Sequence, residues 1–110
     1  MDLTIDIKEE LQHIEVELSG EIDAYTAPKL RETLMPMAEK DNAYIKISLK
    51  EVEYMDSTGL GVFVGLLKAI RKHNGHLKLT DLSPRLERLF NITGLSDIME
   101  IYPKAVGENQ

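Results

Sequence analysis

The sequence predicts an α/β fold in which a single mixed β-sheet is covered by α-helices. Near the start, two short stretches alternate apolar and polar residues with the two-residue period of a strand. Further on, the pattern switches between that period and the three-to-four-residue spacing of helices, so strand and helix signals interleave instead of forming separate blocks. The first two strands read as a hairpin, whereas the later ones are joined by helices long enough for parallel crossovers, and a sheet with both kinds of pairing is the consequence.

In chain order, Leu3, Ile5 and Ile7 alternate with Thr4 and Asp6, and Ile14, Val16 and Leu18 alternate with Glu15 and Glu17, with the polar link 8–12 between them. Ser19-Gly20-Glu21-Ile22-Asp23 breaks that rhythm. Thr26-Ala27-Pro28 offers a helix cap and an early proline, which predicts a helix over 27–40 that buries Leu30, Leu34, Met37 and Ala38. Lys29, Arg31, Glu32 and Glu39 point outward, and Pro36 is expected to bend the helix. A third strand carries Tyr44, Ile45, Ile47 and Leu49 and is expected to break over 51–55. The longest helical stretch, 58–72, repeats Leu60, Phe63, Val64, Leu67 and Ile70 at helical spacing, with Val62 and Leu66 widening the apolar face. Lys68, Arg71 and Lys72 complement the carboxyl end of its dipole, and Asn74-Gly75 supplies the stop. Glycines 59, 61 and 65 are expected to let this helix approach the sheet closely. Leu77 and Leu79 mark a fourth strand, and Ser83-Pro84 opens a helix with Leu86, Leu89 and Phe90 inward. Ile98, Met99 and Ile101 form a closing strand or a last helical turn, and the polar tail 103–110 is expected to fray.

Composition narrows the function. A chain of 110 residues with 43% hydrophobic and 29% charged residues fits one globular domain over 1–110. The absence of cysteine excludes disulfides, thiolate metal sites and a cysteine nucleophile, and it fits a reducing cytosol. No apolar run approaches the roughly 18 residues that span a bilayer, and Met1-Asp2-Leu3-Thr4-Ile5-Asp6 is unlike a signal peptide. A cytoplasmic protein without membrane contact is expected. The net charge of -6 and pI near 5.0 argue against nucleic acid, because binding the phosphate backbone requires clustered Lys and Arg.

Tests for enzymatic motifs are negative. Gly59-x-Gly61 before a helix, with Asp81 after the next strand, is a partial dinucleotide fingerprint, but Val64 stands at the third glycine position. There is no P-loop, and Met55 occupies the place where a hydrolase elbow around Ser57 needs glycine. His73 and His76 flank Asn74-Gly75 without a ligand set, so helix-end residues are expected there and no metal. No catalytic residue and no cofactor is therefore predicted. The many Asp and Glu residues read as a solvated face.

The informative segment is Tyr54-Met55-Asp56-Ser57-Thr58-Gly59-Leu60-Gly61, where a strand hands over to the longest helix. Ser57 there reads as a simple N-cap, its hydroxyl accepting from free backbone N–H groups. A second reading is a phosphorylation site, because phosphate would meet the positive end of the helix dipole and unpaired amides, and the fold could carry about -1.5 to -2 of added charge.

Gly20-Glu21-Ile22-Asp23, Met55-Asp56-Ser57-Thr58-Gly59-Leu60-Gly61 and Leu89-Phe90-Asn91-Ile92-Thr93-Gly94-Leu95, in this order and spacing, closely resemble STAS-domain anti-sigma factor antagonists over nearly the whole chain. The resemblance implies the STAS fold, phosphorylation at Ser57, an anti-sigma factor that is also the serine kinase, and a phosphatase that resets the switch. It also implies a partner-binding surface of Asp23, Asp56, Ser57, Thr58 and Gly59, with the Asp23 loop close to Ser57. A turn or cap is the plainer role for Asp23, and helix initiation the plainer role for Thr58. Two other readings of such a domain remain open at this point: a small-molecule or nucleotide-binding module, and a structural subunit of a larger signalling assembly.

Overall fold

The computed structural model describes residues 2–104. The elements run β1 (Leu3–Glu10), β2 (His13–Ile22), α1 (Ala27–Ala38), β3 (Tyr44–Met55), α2 (Ser57–Lys72), β4 (His76–Leu82), α3 (Pro84–Ile92), a 3-10 turn (Leu95–Asp97) and β5 (Glu100–Pro103). Spatial order in the sheet follows chain order, with β1 antiparallel to β2 and every later pair parallel. Each crossover therefore steps one strand further in the same direction. Right-handed crossovers that never reverse place all their helices on one face, and the burial pattern agrees. Ile14, Val16, Leu18, Ile45, Ile47, Leu77 and Leu79 are buried on one side, while His13, Glu15, Glu17 and Lys46 on the other face solvent. The mixed sheet is as expected, but the helices cover only one of its faces.

The third strand is longer than its alternation predicts. Its buried residues are Ile45, Ile47 and Leu49, then Val52 and Met55, so the spacing changes from two to three. Two irregularities in the pairing with β2, where Glu17 and Ser19 meet Ser48 and Glu51 and where Gly20 and Glu21 meet Val52 and Tyr54, insert an extra residue into β3 each time. The stretch 51–55 is thus a bulged continuation of the strand, and it carries Met55 directly into the start of α2. β2 likewise continues to Ile22 through Gly20, whose φ of 118° and near contact with Asp2 leave no room for a side chain.

Helix α2 is the centre of the core. Leu60, Val62, Phe63, Leu66, Leu67 and Ile70 are buried, and Val64 is half-buried against the same cluster. At about 1.5–3 kcal/mol for each large apolar side chain, this face alone secures the helix to the sheet. Phe63 meets Phe90 of α3 at a centroid distance of 6.3 Å and 60° between planes, an arrangement favoured by the ring quadrupoles.

Several ends differ from the sequence reading. α1 stops at Ala38, and Lys40 instead pairs with Glu9 of β1. Thr26 is its N-cap by position, but its side chain makes no capping bond. Of the closing residues, Ile101 lies in strand β5, whereas Ile98 and Met99 form the bend that follows the 3-10 turn Leu95–Asp97. Pro103 ends β5 opposite Leu82, and the N–H of Lys104 donates to the Leu82 carbonyl (2.8 Å), so the chain is paired through the start of the expected tail. Residues 105–110 of that tail lie outside the described residues.

The β1–β2 hairpin turns through Leu11 and Gln12, with Leu11 at φ 58° and 93% exposed. A left-handed conformation costs an L-residue roughly 1–2 kcal/mol and suits glycine. Leu11→Gly is expected to raise unfolding stability by about 1 kcal/mol, seen as a higher urea midpoint at unchanged slope.

Candidate functional site

The site begins where β3 ends. Asp56, with extended backbone angles (φ -109°, ψ -171°), is the N-cap of α2. Its Oδ1 accepts from the backbone N–H groups of Thr58 (2.9 Å) and Gly59 (3.3 Å). The N–H of Asp56 donates to the carbonyl of Ile22 (3.3 Å), which ties the helix start to the end of β2. Gly59 completes the joint, since a Cβ there would lie 2.7 Å from Ile22 Cγ2 and 2.7 Å from Met55 Cγ. Only glycine lets the first turn settle onto those side chains.

This geometry corrects the simple-cap reading of Ser57. The cap is Asp56, and Ser57 is the first residue of the helix, exposed to solvent. Its hydroxyl is not needed to hold the helix. Two amides that a phosphate was expected to find unpaired are already taken by Asp56, so the favourable part of the surroundings is the dipole itself. Thr58 is also exposed and faces Pro28 and Arg31 across a shallow groove, whereas Gly59 is buried and belongs to the joint, not to the open surface. Of the three helix glycines, Gly59 alone makes close contact with residues of the sheet.

Asp23 lies in the loop from β2 to α1 and adopts the plainer role as well. Its Oδ1 accepts from the N–H of Tyr25 (2.9 Å) and of Thr26 (3.1 Å). The buried Thr26 hydroxyl accepts from the Asp23 N–H (2.9 Å) and donates to the Glu21 carbonyl (2.9 Å). These bonds fix the loop beside the start of α2. Together the two segments line a groove of about 620 Å³ in which Asp23 and Asp56 meet Glu21, Glu53, Tyr25, Tyr54 and Arg85, and of which Ser57 is not a lining residue. Four carboxylates face one guanidinium there, and Tyr25 is 86% exposed.

Sequence reasoning missed Tyr25, Tyr54 and Arg85 as site residues. The signals were present: an aromatic residue inside the polar loop 23–26, and a tyrosine between charged Glu53 and the Asp56 cap. Arg85 carries no local signal, because α3 reaches the groove only through the fold.

The other sequence candidates resolve simply. Asp81 accepts from the hydroxyls of Ser48 (3.2 Å) and Thr80 (3.1 Å), and the space at Gly59 is filled by Ile22 and Met55, so the partial dinucleotide fingerprint has no cradle behind it. His73 caps the end of α2 with Nδ1 3.2 Å from Asp41 Oδ1, and His76 starts β4 beside the Tyr44 ring.

The start of α2 thus carries two exposed hydroxyls, of Ser57 and Thr58, on a single-sheet α/β scaffold. Residues 4–106 match the STAS domain family, and the chain belongs to it. The anti-sigma-B factor antagonist of Bacillus subtilis (strain 168) is 54% identical over 107 residues, 97% of each chain. The crystal structure of an anti-sigma factor antagonist from Mycobacterium paratuberculosis superposes with a TM-score of 0.82 at 26% identity, covering 93% of this chain and 86% of that one. The phosphorylated form of the Bacillus cell fate determinant SpoIIAA shares the fold, with a TM-score of 0.70 at 20% identity over 96% of this chain and 95% of that one. Among the described residues no helix is long and apolar enough to cross a membrane.

The division of labour at the joint is directly testable. Asp56→Ala is expected to cost about 0.5–2 kcal/mol, while Ser57→Ala should stay within about 0.5 kcal/mol of the parent. Denaturant unfolding of both variants checks this, and an equal loss from the serine change would contradict the assignment of the cap.

Proposed function

We propose that this chain is an anti-sigma factor antagonist that works by partner switching. The unphosphorylated form binds an anti-sigma factor, itself a serine kinase, and so frees the sigma factor for transcription. Phosphorylation at Ser57 ends that binding, and a serine phosphatase restores it. The chain is then a cytoplasmic regulator and a substrate of its partners, with no turnover of its own.

The observation that carries this reading is that Ser57 stands exposed at the start of α2 while Asp56 does the capping. A hydroxyl with no structural duty can be modified without loosening the fold. The Bacillus subtilis relative of 54% identity is named an anti-sigma-B factor antagonist, and a fold-mate exists in a phosphorylated form; both support the same assignment. Asp23, Asp56, Ser57 and Thr58 form the contact surface in this reading, and Gly59 supports it from beneath.

Electrostatics explains why phosphate acts as an off signal. The added charge of about -1.5 to -2 falls on the residue next to Asp56, which itself lines the acidic groove with Glu21, Asp23 and Glu53, where Arg85 is the cation. Burying such a dianion against a partner carries both repulsion and desolvation. A loss of about 3 kcal/mol weakens binding more than a hundredfold.

Ser57→Ala is expected to bind the anti-sigma factor permanently, even with ATP present, whereas Ser57→Asp should bind more weakly while melting at nearly the parent temperature. Affinity measured alongside melting temperature separates interface damage from fold damage. If both folded variants bound like the parent, and mass spectrometry placed the phosphate elsewhere, the reading would fail.

A further inference from the structure

Helix α2 contains three glycines, and each weakens the helix by up to about 1 kcal/mol relative to alanine. Gly59 has its reason in the contacts with Ile22 and Met55. At Gly65 a Cβ would lie 3.5 Å from an Arg31 guanidinium nitrogen and 3.6 Å from Met35 Cε, so α1 lies over that position and alanine would fit in ordinary contact. Gly61 differs from both. It is exposed, its backbone is helical, and a Cβ there would meet nothing within 4 Å. Among the described residues, no packing or conformational demand calls for glycine at that place. It lies one helical turn beyond Ser57 on the same face.

A local rule broken without internal compensation, next to a functional residue, points to a demand from outside the chain. We infer that Gly61 is a point of close approach for the anti-sigma factor, whose surface continues from Ser57 along the first two turns of α2 and packs against bare helix backbone there. This rests on the function proposed above and deepens it, because Gly61 becomes a specificity-determining contact. A relative or paralogue of the partner with a bulkier contacting residue would be rejected at this position by shape alone. The contact also makes the switch more sensitive: a partner held this close to the helix cannot shift sideways to accommodate phosphate on the adjacent turn.

The test compares Gly61→Ala, Gly61→Gln and Gly65→Ala for unfolding stability, for affinity to the purified anti-sigma factor, and for the rate of Ser57 phosphorylation by it. All three variants should unfold at higher denaturant than the parent, which shows that they are folded. Gly61→Ala should bind about tenfold more weakly and Gly61→Gln about a hundredfold more weakly, in proportion to the clash, while Gly65→Ala binds as the parent does. Parent-like affinity of both Gly61 variants would overturn the inference. So would unchanged affinity with slowed phosphorylation, which would make Gly61 a hinge for opening the helix end. Failure of the parent protein itself to bind any anti-sigma factor would count against the proposed function, and is told apart from these results because it does not depend on position 61.

Discussion

The joint between β3 and α2 is the constraint on which the rest of the molecule depends. Asp56 satisfies the first free amides of the helix, its own N–H holds the end of β2, and Gly59 lets the first turn rest on Ile22 and Met55. The apolar face of α2, from Leu60 to Ile70, can cover the sheet only because the helix starts at this height and angle. The two irregularities in β3 belong to the same device. They turn Val52 and Met55 inward and deliver the chain to the cap with Met55 beneath Gly59.

Because the joint is complete without Ser57, the structure and the proposed switch rest on different atoms. The carboxylate of one residue holds the helix, and the hydroxyl of the next is left to solvent. Had the serine been the cap, its modification would have competed with folding, since losing a cap costs about 0.5–2 kcal/mol out of a total stability of only about 5–15 kcal/mol. The loop 23–26 follows the same logic on the other side of the groove. Asp23 and the buried Thr26 spend their hydrogen bonds on shaping it, and the exposed face is left to Tyr25 and the neighbouring carboxylates.

Much of this was legible in the sequence where periodicity was regular. The β1–β2 hairpin, the buried face of α2 and the Ser83-Pro84 helix start all follow from local pattern, and Ser83 does cap α3 by accepting from the Leu86 N–H (3.2 Å). Legibility ended where tertiary contacts override a local signal. Bulges reset the period of β3, so a continuing strand read as a broken one. Asp56 and Ser57 are both good capping residues, and only the extended backbone of the former decides between them. Gly59, Gly61 and Gly65 look alike in sequence, yet one is covered by the sheet residues, one is open and one lies under α1. Arg85 enters the groove from a helix nearly thirty residues away from Asp56 in the chain, a placement that no local pattern encodes.

The central claim is that phosphate on Ser57 changes the surface of this domain and leaves its fold intact. Amide hydrogen exchange on the Ser57-phosphorylated and unmodified protein tests that claim most directly. The account predicts equal protection through β2, β3 and the buried turns of α2 around Phe63 and Leu66, with changes confined to the first turn of α2 and the loop 23–26. Loss of protection across β3 and the body of α2 on phosphorylation would contradict it, because the switch would then act by loosening the domain.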